Sequence, residues 1–194
     1  MKIKSYSKIN LTLRVLNKQK NNLHNIETNS TLISLYDELI IKKSQVDKII
    51  FKGKFKNKVS SKKNTVIETL KLLRKLKIIK NFYKILIKKN IPVFAGLGGG
   101  TSNSASIVKY FLKNKISNKL LIALEKKIGS DFRLLLNKYS FQKRLGKVTK
   151  GKNKINYPLI VVFPFINCKT KEIYKMVKTF STSSGKQYVK KIEK

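Results

Sequence analysis

A chain of 194 residues, 41% of them hydrophobic, is long and apolar enough for one sizeable core, or for one domain and part of a second, and too apolar for disorder. No apolar run reaches the roughly 20 residues of a membrane-spanning helix, the basic N-terminus lacks an apolar stretch with a small-residue cleavage site, and a single Cys168 excludes an intramolecular disulfide, so a cytoplasmic protein is expected. The formal charge of +36 comes from 45 Lys and Arg against 9 Asp and Glu; the lysines are spread evenly and share A- and T-rich codons with the abundant Asn and Ile, so solvated faces are expected rather than a nucleic-acid footprint.

Lys8–Val15 alternates, with Ile9, Leu11, Leu13 and Val15 on one face and Lys8, Asn10, Thr12 and Arg14 on the other, which predicts a half-buried strand. Further strands are predicted at Ile26–Leu35, Leu39–Lys43 and Lys48–Phe55. Asn64 can cap a helix running to about Lys77, because Val66, Leu70, Leu73 and the Lys77 stem share one face. Phe82–Ile91 reads as a strand closed by Pro92. Helices follow from about Ser102 to Lys113, and from the Ser117 cap to Gly129, a residue favoured just past a helix end. Tyr139–Leu145 and Ile155–Phe163 read as strands and Thr170–Lys178 as a short helix, with a polar tail from Thr179 to Lys194. Strands precede a helix pair without regular βαβ alternation, so the fold class is α+β.

Between the Phe82 strand and the Ser102 helix lies Ala95-Gly96-Leu97-Gly98-Gly99-Gly100-Thr101-Ser102-Asn103. Glycines let a backbone approach a ligand closely, and the free N–H groups and dipole of the next helix favour an anion. Thr101 and Ser102 add hydroxyls for phosphate oxygens or for a metal ion. The competing reading is a plain turn capped by one of those hydroxyls. The segment lacks the Lys of a Walker A loop and is not the dinucleotide fingerprint.

Carboxylates are scarce. Asp131 follows the second helix in Ile128-Gly129-Ser130-Asp131-Phe132, where it can orient a hydroxyl and take its proton, or simply cap a loop. Lys8 can stabilise charge on a transferring group, or be one more surface lysine. His24, the single histidine, lies in a polar turn with no second His nearby, so no metal site is predicted.

Together these stretches resemble the GHMP kinase superfamily. Ser7-Lys8-Ile9-Asn10-Leu11 resembles its A-K-I-N-L, and Leu23-His24-Asn25-Ile26-Glu27 a G-Y-H-E-L turn. Pro92 to Ser104 resembles P-x-x-x-G-L-G-G-G-S-S-N-A, and Gly129-Ser130-Asp131 resembles G-A-D-V-P. The triple glycine is similar to the branch that phosphorylates the cytidyl diphosphate of methylerythritol in non-mevalonate isoprenoid synthesis.

The resemblance implies Lys8 and Asp131 as the catalytic pair, with Asp131 the base, and Asn10 and His24 as substrate residues. It implies that Pro92, Val93, Phe94, Ala95, Gly96, Leu97, Gly98, Gly99, Gly100, Thr101 and Ser102 wrap the ATP phosphates, with Asn64 and Lys89 near the adenine. Thr170 and Tyr174 match a Thr and a base-stacking aromatic, and Mg²⁺ accompanies ATP. The implied fold is an N-terminal domain of the ribosomal protein S5 domain 2-like type over 1–150. An incomplete α/β-plait-like domain follows over 151–194, since the chain ends before the family's third glycine-rich motif. Leu23 replaces the family's Tyr, Arg133 its Pro and Thr101 a Ser.

Overall fold

The computed structural model describes residues 2–19, 23–113, 115–151, 158–164, 166 and 170–185. Its centre is a mixed sheet built around one long central strand. Strand β1 (Lys2–Lys18) runs antiparallel to β2 (His24–Ser44) along nearly the whole length of both. The opposite edge of β2 is shared. Its first half pairs with β5 (Tyr139–Arg144) and its last third with β4 (Phe82–Lys88), both antiparallel. β3 (Lys48–Lys52) lies parallel to β4, and β6 (Lys147–Lys150) closes a hairpin with β5.

Helices α1 (Thr65–Lys75), α2 (Gly99–Leu112) and α3 (Asn118–Ile128) lie over one face of this sheet. Period-two alternation sends Leu39, Ile41, Ile49, Tyr83, Ile85 and Ile87 toward them. They meet Val66, Leu70 and Leu73 of α1, Ile107 and Val108 of α2 and Leu120 and Leu124 of α3. Each such side chain contributes about 1.5–3 kcal/mol on full burial, and together they make one continuous core.

Several predicted boundaries shift for identifiable reasons. The two strands expected over Ile26–Leu35 and Leu39–Lys43 are one, because β1 pairs across the intervening Tyr36–Glu38 without a break. Helix α2 starts three residues before Ser102, since Gly99 and Gly100 already belong to it. The polar side of β1 is its solvent side at Asn10, Thr12 and Arg14, but not throughout. Bulges at Tyr6/Lys8, Asn10/Thr12 and Val15/Asn17 reset the alternation, so Lys8 is 4% exposed while Leu13 is 46% exposed.

Of the strand expected over Ile155–Phe163, residues 155–157 lie outside the described residues. Over 158–163 the chain is not a strand, because none of the described strands pairs with it; Ile160 and Val162 are exposed. The short helix α4 spans Thr170–Lys175 and stops before Lys178. No helix among the described residues is long and apolar enough to cross a membrane.

Candidate active site

The glycine-rich loop is seated by backbone. The Lys8 N–H donates to Leu97 O at 3.1 Å, fastening the loop to β1. Gly98, the residue before α2, takes φ +69° in the left-handed region, and a Cβ there would stand 3.5 Å from Lys8 Cγ. The positive φ favours glycine at this turn, and a Cβ would rest in ordinary contact with the Lys8 stem that runs beneath it.

No side chain among the described residues caps α2 at Gly98, and the first intrahelical bond runs from Ser102 N–H to Gly98 O. The N–H groups of Gly99, Gly100 and Thr101 therefore precede the helical ladder. These donors and the positive end of the helix dipole make a cradle suited to an anion.

The start of α1 comes to the same place. Asn64 caps α1 through its side-chain oxygen, which accepts from Val66 N–H and Ile67 N–H at 3.0 Å each, and Thr65 Oγ1 donates to Gly100 O at 2.8 Å. Two helix N-termini thus converge on the loop.

Lys89 lies underneath. Its ammonium is buried against Asp37, whose other oxygen accepts from the N–H groups of Asn90 and Ile91 at 2.8 and 2.9 Å. A Cβ at Gly99 would stand 3.4 Å from Lys89 Nζ. Asp37 therefore fixes both Lys89 and the backbone leading to Pro92, a role for which its position in the sequence gives no signal.

Ser102 is engaged inward: its hydroxyl donates to Tyr6 O at 2.5 Å and accepts from Ser5 Oγ at 2.9 Å. Thr101 Oγ1 faces Gly129, where a Cβ would stand 3.4 Å away. Phe94 is half exposed at φ +60°, with Val93, Ala95 and Gly96 between Pro92 and Leu97 on the outer part of the loop. Pro92 also lines a cavity of about 1040 Å³, whose walls include Tyr6, Leu35, Phe55 and Val161.

Lys8 and Asp131 meet at this loop. Lys8 Nζ lies 3.0 Å from Asp131 Oδ2 and donates to Asn10 Oδ1 at 3.1 Å. The lysine is almost fully buried while Asp131 is 35% exposed, so the pair has an open end. The Asp131 carbonyl accepts from Leu134 N–H at the start of a 3-10 turn over Arg133–Leu136, leaving its carboxylate for Lys8. Arg133, the departure from the family's Pro, pairs with Glu125 through Nε at 2.8 Å.

A ring cluster forms at the end of the β1–β2 hairpin. His24 and Tyr174 stack with centroids 5.4 Å apart and an interplanar angle of 23°, and Phe180 lies 6.4 Å from His24. Burial, with a smaller contribution from the negative charge of Asp131, pushes the Tyr174 hydroxyl above its ordinary range. Tyr174 therefore feels the carboxylate of the ion pair. Leu23 is half exposed, and the side chain of Thr170, at the start of α4, lies outside what the structure describes. Among the described residues no group of three or more His, Cys, Asp or Glu could hold a metal ion.

Comparison with known proteins follows the same outline. Residues 64–133 match the GHMP kinases N terminal domain. The chain is 40% identical over 188 residues to the 4-diphosphocytidyl-2-C-methyl-D-erythritol kinase of Pelagibacter ubique, covering 93% of this chain and 66% of that protein. It is 34% identical over 184 residues to the enzyme of the same name from Petrotoga mobilis, covering 90% of this chain and 68% of that protein. A crystal structure of 4-(cytidine 5'-diphospho)-2C-methyl-D-erythritol kinase shares the fold with a TM-score of 0.65 at 22% identity, over 94% of this chain and 67% of that one. The chain spans about two-thirds of the length of the curated relatives it matches. It belongs to the GHMP kinase superfamily, among the 4-diphosphocytidyl-2-C-methyl-D-erythritol kinases.

Proposed function

We propose that the chain binds ATP at the glycine-rich loop and transfers its terminal phosphate to the 2-hydroxyl of 4-diphosphocytidyl-2-C-methyl-D-erythritol, a step of isoprenoid biosynthesis. The observation that carries this reading is the Lys8–Asp131 pair, closed by burial on the lysine side and open on the carboxylate side, beside an uncapped helix N-terminus. The relatives' names supply the substrate class.

In this reading the N–H groups at the start of α2 receive the phosphate oxygens, and the loop from Pro92 to Thr101 covers them. Asp131 takes the proton of the attacking hydroxyl while Lys8 keeps the carboxylate ionised and balances the charge that develops on the phosphoryl group. Asn10 holds the Lys8 ammonium at one end of the pair and is open to the substrate. Lys89 and Asn64 act on the nucleotide through the loop and helix they support, and the apolar wall of Phe55 and Pro92 suits the adenine.

Mg²⁺ supplies charge neutralisation on the phosphates when bound. The oxygen donors facing the loop, Thr101 Oγ1 and the Asp131 carboxylate, suit a hard cation that keeps its other ligands from phosphate and water. His24 and Tyr174 receive the cytosine end of the substrate.

The test is ADP formation by the purified chain with Mg²⁺, ATP and the cytidyl diphosphate of methylerythritol. Substrate-dependent ADP is expected. Asp131→Asn is expected to bind ATP normally and to lose turnover by roughly 10²–10⁴-fold, the range for removing a general base. Near-normal turnover in that variant would remove Asp131 from the chemistry, and no ADP from a chain that still binds ATP would overturn the activity.

A further inference from the structure

The residues after α4 return to the β1–β2 hairpin. Ser181 N–H donates to Val15 O at 2.8 Å, which lays this segment along β1. Three residues later it closes on Glu27, a side chain of β2 that is 3% exposed. One Glu27 oxygen accepts from Ser184 N–H at 3.0 Å and Ser184 Oγ at 2.7 Å; the other accepts from Ser183 Oγ at 2.5 Å and Gly185 N–H at 3.1 Å. Four donors fill the acceptor sites of one carboxylate. Arg14 adds a cation at 3.6 Å.

A buried carboxylate this fully satisfied is a fixed point rather than a surface contact. Burial alone would raise the pKa of Glu27; the hydrogen bonds from Ser183, Ser184 and Gly185 outweigh it and bring the group down to about 2. Glu27 is therefore charged, and the strap fastened, throughout the neutral range.

What the strap carries is Phe180. Its ring lies 6.4 Å from His24, tilted by 32°, and 48% of its surface is open. His24 and Tyr174 are already in direct stacking contact, so a base does not enter between them without parting the rings. Leu23 offers no aromatic face. Among the described residues, the open aromatic surface on this side of His24 is that of Phe180.

We infer that residues 180–185 form a strap, locked by Glu27, that presents Phe180 as an aromatic wall for the ring of the substrate. Phe180 is then a specificity residue that touches the base, and Glu27 a positioning residue that acts through it. The inference rests on the cytidine-bearing substrate proposed above. It gives the site a second aromatic surface from a part of the chain whose polar composition carries no such signal.

Calorimetric titration of the whole chain with CDP tests it. Phe180→Ala is expected to weaken CDP binding about tenfold, within the range for losing one base–aromatic stack, and to leave ATP affinity unchanged. Phe180→Tyr is expected to restore it. Glu27→Gln turns an amide NH₂ toward donors and is expected to weaken CDP binding as well, as is the milder Ser183→Ala. Adding Phe180→Ala to either is expected to cost much less than it does alone, because both act through one ring.

Unchanged CDP binding in Phe180→Ala, with binding lost in His24→Ala, overturns the wall and leaves the cytidine site standing. Full additivity of Glu27→Gln and Phe180→Ala overturns the lock. A wild-type chain that binds ATP but not CDP overturns the inference together with the substrate reading beneath it.

Discussion

Lys8 and Lys89 are the buried lysines among the described residues, and they are buried for different ends. Lys8 meets a partner that is one-third exposed, so its charge stays available at an open cleft. Lys89 meets Asp37, which is fully buried and also accepts two backbone N–H groups at the stem of the glycine-rich loop. Removing one member of such a pair leaves an uncompensated charge in the interior, at a cost of about 3–5 kcal/mol. Lys89→Met is therefore expected to lower the unfolding free energy by about that much in urea titration. ATP affinity, measured where the variant is still folded, is expected to fall by much less, because Asp37 still accepts from the N–H groups of Asn90 and Ile91 and keeps that anchor of the loop. A large loss of ATP affinity without loss of stability would mean that the ammonium serves the nucleotide directly.

At the scale of elements, most of the fold was legible, and the limits of legibility have local causes. The caps of α1 and α3 at Asn64 and Ser117 follow from hydrogen-bonding chemistry that a sequence displays directly, and both side chains accept from their helices. The start of α2 was not legible, because glycine has poor helix propensity and its place in the first turn is decided by the seat against Lys8 and Ile91. In β1 the alternation holds at Asn10, Thr12 and Arg14, which are exposed, whereas the burial of Lys8 was hidden by bulges that no period-two reading anticipates. The loop, Lys8 and Asp131 could be named from motifs, whereas Phe180 and Glu27 join the site only through a return of the chain across more than 150 residues. The strap that makes this join depends on pH. Glu27 has its pKa lowered from 4.5 to about 2 on docking, so it contributes stability that is present above about 4.5 and lost as pH falls toward 2. Amide exchange of Ser184 and Gly185 is expected to be slowed near neutrality and to lose protection, relative to the β1–β2 ladder, as the pH falls through that window. Equal protection at both ends would show that the carboxylate does not hold the strap.

For the molecule as a whole, the charge of +36 has a spatial expression that composition alone does not give. On the sheet face away from the helices, Lys42, Lys84 and Lys48 stand in register across β2, β4 and β3, all exposed, with lysine directly opposite lysine at both steps. Four residues along β4 a carboxylate enters the pattern, where Lys88 has Lys52 opposite it on β3 and Glu38 opposite it on β2. Lys88 faces Glu38, which also pairs with Lys2, and these lysines lower the pKa of Glu38 below its ordinary value, the Lys2 hydrogen bond most of all. Like charges directly opposite on a sheet are destabilising, and opposite charges contribute roughly 0.2–1 kcal/mol per pair. Lys84→Glu turns two repulsive pairs into two attractive ones without touching the core or the site. It is expected to raise the unfolding free energy by about 0.5–2 kcal/mol at low ionic strength. The gain should shrink as salt approaches 1 M, where the screening length falls to about 3 Å. Urea unfolding of the wild type and the variant at two salt concentrations measures both effects. A variant no more stable than the wild type at low salt would mean that the lysine row is already relaxed by solvent, and that the positive field of this face carries no folding cost.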